Sequence, residues 1–592
     1  MGTHAKLSRR LGAFAVFLFL MVAVLGFRLV DFQVVRAAEI QEQSLETRKI
    51  TQTMSSLRGD ILDSSGQVLA KTVFRYDVNV APKRVGPVFQ TIDGVRTERS
   101  VDEIAMDLSQ LLGIDYGELI LKLEGDSEYS NLAKTVNAEI FNAIRDMNVP
   151  WVFFDQFEDR LYPMGAVAGN VLGFVGSDGT PLAGLERQYN TCLAGIDGQE
   201  TYERSAEGVR IPSSNRTAQP TENGGALNLT IDANLQFFAQ QVLADTVNNL
   251  SAEWASAIVL DVETGKILAA AEAPTVDPND PAAVEGADRG SRIFQAAFEP
   301  GSIMKALSAA MVLDTGTADE FDTVTAPDRM QLDFDNEYIK DSFSHEDFTL
   351  SLAGVLRYSS NTGMTNFASQ IDRKVRHDYL QKFGFGSVSP LMFEGESSGI
   401  LHPVAEWDEM TNLVTTFGQG ISVTSLQMAY AYQAIANGGV RLDPLLVESC
   451  LNEDGTVAYA PTQQATRVVS TESANLNLEL MEKVVEFGGV GKTAAIPGYR
   501  VAGKTGTAEL KDGSGYGEEY AISFYGIAPA ENPKFVVGIT IYKPEGVSNS
   551  SQATPPFKAI MQQALKHYRI PPSTSESRSV PSNKYGEVDE ND

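Results

Sequence analysis

Three short motifs carry the chemistry of this chain, in the order Ser302-Ile303-Met304-Lys305, Ser359-Ser360-Asn361 and Lys504-Thr505-Gly506. Residues three apart share a helix face, so Lys305 can reach back to the Ser302 hydroxyl. A serine is a weak nucleophile at its free pKa and needs an adjacent base. A lysine can be that base only when burial or a neighbouring cation lowers its own pKa, and Lys504 is a suitable cation. Ser359 adds a second hydroxyl able to relay a proton toward a leaving amine, and Asn361 an amide able to hold substrate. The stretch Thr505-Gly506-Thr507 is expected to bind substrate, its two hydroxyls facing a carboxylate, while the backbone N–H groups of Ser302 and Thr507 could form an oxyanion hole. The set suffices for serine acyl transfer with no histidine, metal or cofactor.

Each motif alone is weak evidence. At average residue usage Ser-x-x-Lys should arise about twice in a chain this long and Lys-Thr-Gly on the order of 0.1 times. Each occurs once here. Ser-x-Asn is commoner: Ser213-Ser214-Asn215 and Ser473-Ala474-Asn475 also match, and order and spacing select Ser359. Taken singly, Ser302 would read as a helix cap and Lys504 as a strand-edge lysine. Together and in order, the three are the set used by penicillin-reactive serine enzymes.

Rival chemistries fail on context. Gly498 to Thr505 fits the phosphate-loop pattern literally, but such a loop must open a helix, and here Gly506-Thr507-Ala508 leads into a glycine-rich turn. The chain has five histidines, and neither His345 nor His402 sits in a cluster of metal ligands. A net charge of -30 argues against nucleic acid, since no basic concentration exists to displace counterions from phosphates.

The elements that must position these residues follow from the apolar pattern. Leu11 to Phe27 is an unbroken apolar run of nearly bilayer length, preceded by Lys6, Arg9 and Arg10 and followed by Asp31, Glu39 and Glu42. That asymmetry predicts a retained anchor with a cytoplasmic N-terminus, and Arg28 and Asp31 interrupt the place where a signal-peptide cleavage site would sit. The expected layout is a cytoplasmic tail at 1–10, a transmembrane anchor at 11–30, a non-catalytic pedestal at 31–225, a catalytic domain at 226–568 and a disordered acidic tail at 569–592.

Residues 36–57 read as a polar, helix-compatible stalk, and Arg58 to Ala70 as a hairpin around Ser64-Ser65-Gly66. In the catalytic domain, runs at 255–262 and 266–271 predict a hairpin, 303–313 a buried helix, 499–508, 520–528 and 535–542 three strands, and 557–568 a closing helix. Strands from both ends with helices between imply an α+β domain, one antiparallel sheet with helices packed on it. The two cysteines, Cys192 and Cys450, fall in segments assigned to different domains, so a disulfide is not expected.

On these residues the chain resembles a known family. Glu299-Pro-Gly-Ser-Ile-Met-Lys305, Tyr358-Ser-Ser-Asn361, Phe417-Gly-Gln-Gly-Ile-Ser-Val-Thr-Ser-Leu-Gln427 and Ala502-Gly-Lys-Thr-Gly-Thr-Ala508 look like the class B penicillin-binding proteins. Arg58-Gly59, Arg160-Leu-Tyr-Pro-Met-Gly165 and Gly184-Leu-Glu186 resemble that family's pedestal module. The resemblance implies a serine β-lactamase-like catalytic fold. It also implies a D,D-transpeptidase in which Ser302 attacks the D-Ala-D-Ala end of a peptidoglycan stem peptide and a neighbouring stem's amine resolves the acyl-enzyme. Covalent inhibition by β-lactams, attachment to the membrane, a role in septal synthesis of the FtsI type and an FtsW-type glycan polymerase as partner are further implications. Alternatives are an elongation transpeptidase, a β-lactamase and a non-catalytic scaffold. A β-lactamase would need a carboxylate to activate water, and Glu448-Ser-Cys-Leu451-Asn452 matches the class A pattern but reads as part of a β-hairpin.

Overall fold

The computed structural model of the chain describes residues 2–92, 95–203, 217–334, 337–511 and 516–582. Contacts divide it into two units, Met1–Leu57 with Ala194–Gly224, and Arg58–Leu193 with Gly225–Asp592.

The first unit begins with the helix Gly2–Val30. It is long and apolar enough to cross a membrane, and none of its apolar stretch is buried; Phe19 is 72% exposed and Phe27 76%. Such a surface requires apolar surroundings. The expected stalk is only half helical, over Ala37–Arg48. From Lys49 the pattern becomes β-branched at every second residue, Thr51 and Thr53. Here Lys49–Met54 forms a strand antiparallel to Gly198–Glu203, which pairs in turn with Thr217–Gln219.

The second unit holds two cores. In the smaller, the strand Val68–Val80 pairs antiparallel with Val152–Leu161 and Ser130–Val136. Val78, Val80, Ile104, Leu108, Leu119 and Trp151 fill the space beneath. The predicted hairpin is present, Ile61 pairing with Ala70, and Gly66 takes the left-handed turn position at φ 86°. Glu186, wholly buried, takes charge-assisted hydrogen bonds from Arg58 (2.6 Å) and Arg160 (2.7 Å), so the resemblance motifs Arg58, Arg160 and Glu186 form one ion cluster.

The strand Ala226–Leu229 lies in the larger core: Leu227 pairs in parallel with Ile61 on one side and antiparallel with Cys450 on the other. That register brings Cys192 to Cys450, and the two form a disulfide across 258 residues. The expectation of two unbridged thiols is thus corrected. It assumed separate domains, whereas one sheet spans both segments.

The catalytic sheet has five antiparallel strands in the order Ile267–Ala273, Trp254–Asp261, Phe535–Tyr542, Tyr516–Ala528 and Ala502–Lys511, assembled from both ends as predicted. Phe524 stacks edge-on against Phe557 of the closing helix Thr554–His567, and Tyr525 meets Tyr432 of the helix Ser425–Ala436. Adjacent strand residues point to opposite faces, so these two helices cover opposite sides of the sheet. The helix Met304–Asp314 is buried from Met304 to Val312, as a helix apolar on every face must be.

The tail departs from expectation. Residues 583–592 lie outside the described residues, but Ser573 to Ser582 lie against the domain, with Val580 and Ser582 buried. Serine hydroxyls and Arg578 find partners on neighbouring elements, so a segment with no core of its own is held by hydrogen bonds and ion pairs.

Candidate active site

Ser302 sits where a turn becomes a helix. Gly301 has φ 54°, its N–H donates to Gly418 O at 2.9 Å, and a side chain there would meet Thr507 O at 2.5 Å. Only glycine lets the turn lie this close to the edge strand Ala502–Lys511. Gly418 belongs to the Phe417-Gly-Gln-Gly stretch, which therefore backs the turn carrying Ser302. One helical turn places Lys305 Nζ 2.9 Å from Ser302 Oγ, as the spacing predicted.

Ser359 is delivered by a kink. The helix Leu352–Tyr358 ends there because Ser359 adopts the left-handed conformation, φ 61° and ψ 34°. Ser360 then caps the next helix, Asn361–Ala368, accepting from Gly363 N–H. A non-glycine residue in that conformation costs on the order of 1–3 kcal/mol and persists only where its surroundings hold it. Here Ser359 O accepts from Lys305 Nζ at 2.5 Å, and Ser359 Oγ lies 3.3 Å from Lys305 Nζ and 2.9 Å from Lys504 Nζ.

The two lysines are fully buried, whereas Ser302 and Ser359 are partly open. Burial draws Lys305 down to about 7, opposed by the negative charge of Asp341. Burial and the charge of Lys305 hold Lys504 well below the ordinary lysine range. The expectation that Lys504 depresses Lys305 is corrected: desolvation alone lowers Lys305, and the charge effect between the two amines falls on Lys504.

The remaining predicted residues are near but engaged differently. Thr505 is buried, and Lys504 Nζ donates to its Oγ1 at 3.3 Å and its carbonyl at 3.1 Å; Thr507 is the more open of the two threonines. Gly506 is a close approach, where a side chain would strike Ser523 Oγ and Ile303. Asn361 donates from Nδ2 to Lys340 O at 2.8 Å.

Asp341 was not anticipated. Its buried carboxylate accepts from the N–H groups of Asn361 (2.5 Å) and Thr362 (3.1 Å), capping the helix that begins with Asn361, and pairs through its second oxygen with His345. No motif marks it, because a cap supplied from 20 residues upstream depends on where the chain folds back. The decoys fall elsewhere. Glu448 lies on the predicted strand, half-exposed and ion-paired to Lys266. Ser473 lies in the helix Thr471–Glu482, and no helix follows Thr505. Ser213 to Asn215 lie outside the described residues. No group of three potential metal ligands occurs among the described residues.

The family profile of the penicillin binding protein transpeptidase domain matches residues 255–562, and that of the penicillin-binding protein dimerisation domain matches 53–229. Penicillin-binding protein PbpB of Mycolicibacterium smegmatis is 32% identical over 95% of this chain and 90% of its own length. Peptidoglycan D,D-transpeptidase FtsI of Buchnera aphidicola is 29% identical, covering 95% of each chain. Among solved structures, penicillin binding protein 3 of Mycobacterium tuberculosis complexed with ampicillin superposes with a TM-score of 0.69 at 28% identity, over 90% of this chain and 100% of that one.

Proposed function

The chain belongs to the class B penicillin-binding proteins, and from that premise we propose that it is a peptidoglycan D,D-transpeptidase working through an acyl-enzyme on Ser302. The supporting observation is the buried Lys305 amine, 2.9 Å from Ser302 Oγ and drawn down to about 7. A neutral lysine takes the Ser302 proton as Oγ bonds to the carbonyl carbon of the penultimate D-Ala. The C–N bond then breaks, and the terminal D-Ala leaves as an amine, protonated through Ser359. An amine from a neighbouring stem attacks the ester, gives up a proton along the same route and forms the new amide, while Ser302 regains its hydrogen. In this reading Lys504 and the Thr505 to Thr507 strand bind a substrate carboxylate, and the Asn361 amide holds the substrate amide. Ser302 N–H and Thr507 N–H are the oxyanion donors in this scheme.

β-Lactams enter the same path and stop at the ester. Labelling of the full-length protein with a fluorescent penicillin, with the adduct located by peptide mapping, tests the assignment. Label on Ser302, lost in Ser302→Ala, is expected, and label on another residue would overturn it.

The basic flank before the exposed apolar helix supports a single span with the N-terminus in the cytoplasm and the catalytic domain outside. Protease added to intact spheroplasts should digest that domain, and full protection would refute this topology. The FtsI name of a relative supports septal synthesis, for which an FtsW-type polymerase is the partner we propose. Depletion giving undivided filaments supports this, whereas rounded cells would favour lateral synthesis.

A further inference from the structure

The family match ends at residue 562, yet the chain beyond it lies against the element that carries Ser359. After the closing helix, Tyr499 OH donates to Ile570 O, Ser573 N–H to Gly498 O and Arg500 N–H to Ser573 Oγ. The strand of contacts continues along one edge: Arg500 to Ser575 Oγ, Lys483 to Ser577 Oγ, Ser577 Oγ to Glu486, and Arg578 to both Glu479 (3.0 Å) and Glu320 (2.8 Å). It ends on the helix Leu352–Tyr358. Ser351, the N-cap of that helix, donates its Oγ to Pro581 O and its N–H to Ser582 O at 3.3 Å. Arg357, near the other end, lies 3.5 Å from Ser582 Oγ.

One of these contacts, Ser351 N–H to Ser582 O, is backbone to backbone. A Cβ on Gly354 would stand 1.8 Å from Ser582 O, so the tail fits only because residue 354 is glycine. The same seven-residue helix has Ser351 as N-cap and Ser359 as C-cap. Roughly 10 Å of rigid helix therefore connects the tail to the hydroxyl shared by the two lysines. Ser359 is also the strained residue, in a left-handed conformation that needs support from its surroundings. A helix this short is not stable by itself, so its placement depends on what packs on it.

We propose that residues 573–582 are a strap that positions Ser359, holding the helix Leu352–Tyr358 in register so that its C-cap meets Lys305 and Lys504. The inference rests on the transpeptidase reading above. Because the strap is anchored by ion pairs at Arg578 and by single hydrogen bonds, its removal should loosen the helix without unfolding the sheet.

The test uses the full-length protein in detergent. A chain ending at Pro572 should acylate with penicillin about tenfold more slowly per folded molecule, since a small misplacement of a catalytic group costs that much or more. A chain ending at Ser582 should keep the wild-type rate. Gly354→Ala should reproduce the loss in the full chain by displacing the strap, and should add nothing in the chain ending at Pro572. Arg578→Ala gives a milder loss in the same direction. Hydrogen–deuterium exchange of residues 351–361 should rise in the chain ending at Pro572, whether or not the protein acylates, which separates failure of the strap from failure of the transpeptidase assignment. Unchanged exchange there, wild-type acylation by the shortened chain, additive effects of Gly354→Ala and truncation, or a full loss already in the chain ending at Ser582 would each overturn the proposal.

Discussion

Lys305 and Lys504 converge on one hydroxyl: Ser359 Oγ lies 3.3 Å from the first amine and 2.9 Å from the second. Both amines are buried, and both are pushed below the ordinary lysine range. A proton leaving Ser302 for Lys305 is therefore already within one hydrogen bond of Ser359, and Lys504 contacts the same hydroxyl from its other side.

Ser302→Ala should abolish covalent penicillin labelling and leave the melting temperature within a few degrees of wild type, because a partly open serine loses one hydroxyl and no packing. Lys305→Arg keeps the charge but cannot give up its proton, so labelling should fall by at least about a hundredfold. Near wild-type acylation by Lys305→Arg would show that lysine is not the base.

Acylation should depend on pH with a limb near 7, since only neutral Lys305 accepts the Ser302 proton. Below that pH the rate should fall about tenfold per unit, and above it level off. Stability should move the same way for a linked reason. Lys305 has a folded pKa of about 7 against an ordinary value of 10.5, so between those values the unfolded chain binds the extra proton and stability rises with pH. Denaturant titrations from pH 7 to 10 should show that rise, reduced in Lys305→Met.

Asp341 should matter for two separable reasons. Asp341→Ala removes the cap over Asn361 and Thr362, a loss of about 1 kcal/mol, and should slow acylation. Asp341→Asn keeps an acceptor but removes the negative charge that raises Lys305, so its acylation limb should shift to lower pH. A limb that stays in place would mean the carboxylate acts through geometry alone.

The Cys192–Cys450 bridge closes a loop of 258 residues, so reduction, or Cys192→Ser with Cys450→Ser, should cost about 2–4 kcal/mol of stability. Acylation at 25 °C should survive, since neither cysteine touches Ser302, Ser359 or the lysines. A parallel loss of acylation would mean the bridge shapes the site.

Penicillin should stay attached for many minutes once bound. Glu448, the only residue in a lactamase-like pattern, is tied to Lys266, so Glu448→Gln should change neither acylation nor adduct lifetime. Steady turnover of penicillin that stops in Glu448→Gln would place the protein among hydrolases instead.

Local chemistry was legible in the sequence by itself. The i, i+3 spacing fixed the Ser302–Lys305 pair, and the apolar runs located the five strands, the buried helix and the long N-terminal apolar helix that is a candidate membrane span. These depend on helix and strand periodicity, which a few neighbouring residues determine. What needed the tertiary structure were contacts between distant segments. The sheet joining Ile61, Leu227 and Cys450 makes a disulfide from cysteines that seemed to belong to separate domains. Asp341 caps a helix that starts 20 residues later, and Ser582 rests on Gly354 more than 200 residues before it. The tail's Ser-, Pro- and acid-rich composition led to an expectation of disorder. It could not reveal that the rest of the chain presents an edge of Arg500, Lys483, Glu479 and Ser351 for it to bind, because hydrogen-bond partners, unlike periodicity, exist only once both sides are in place.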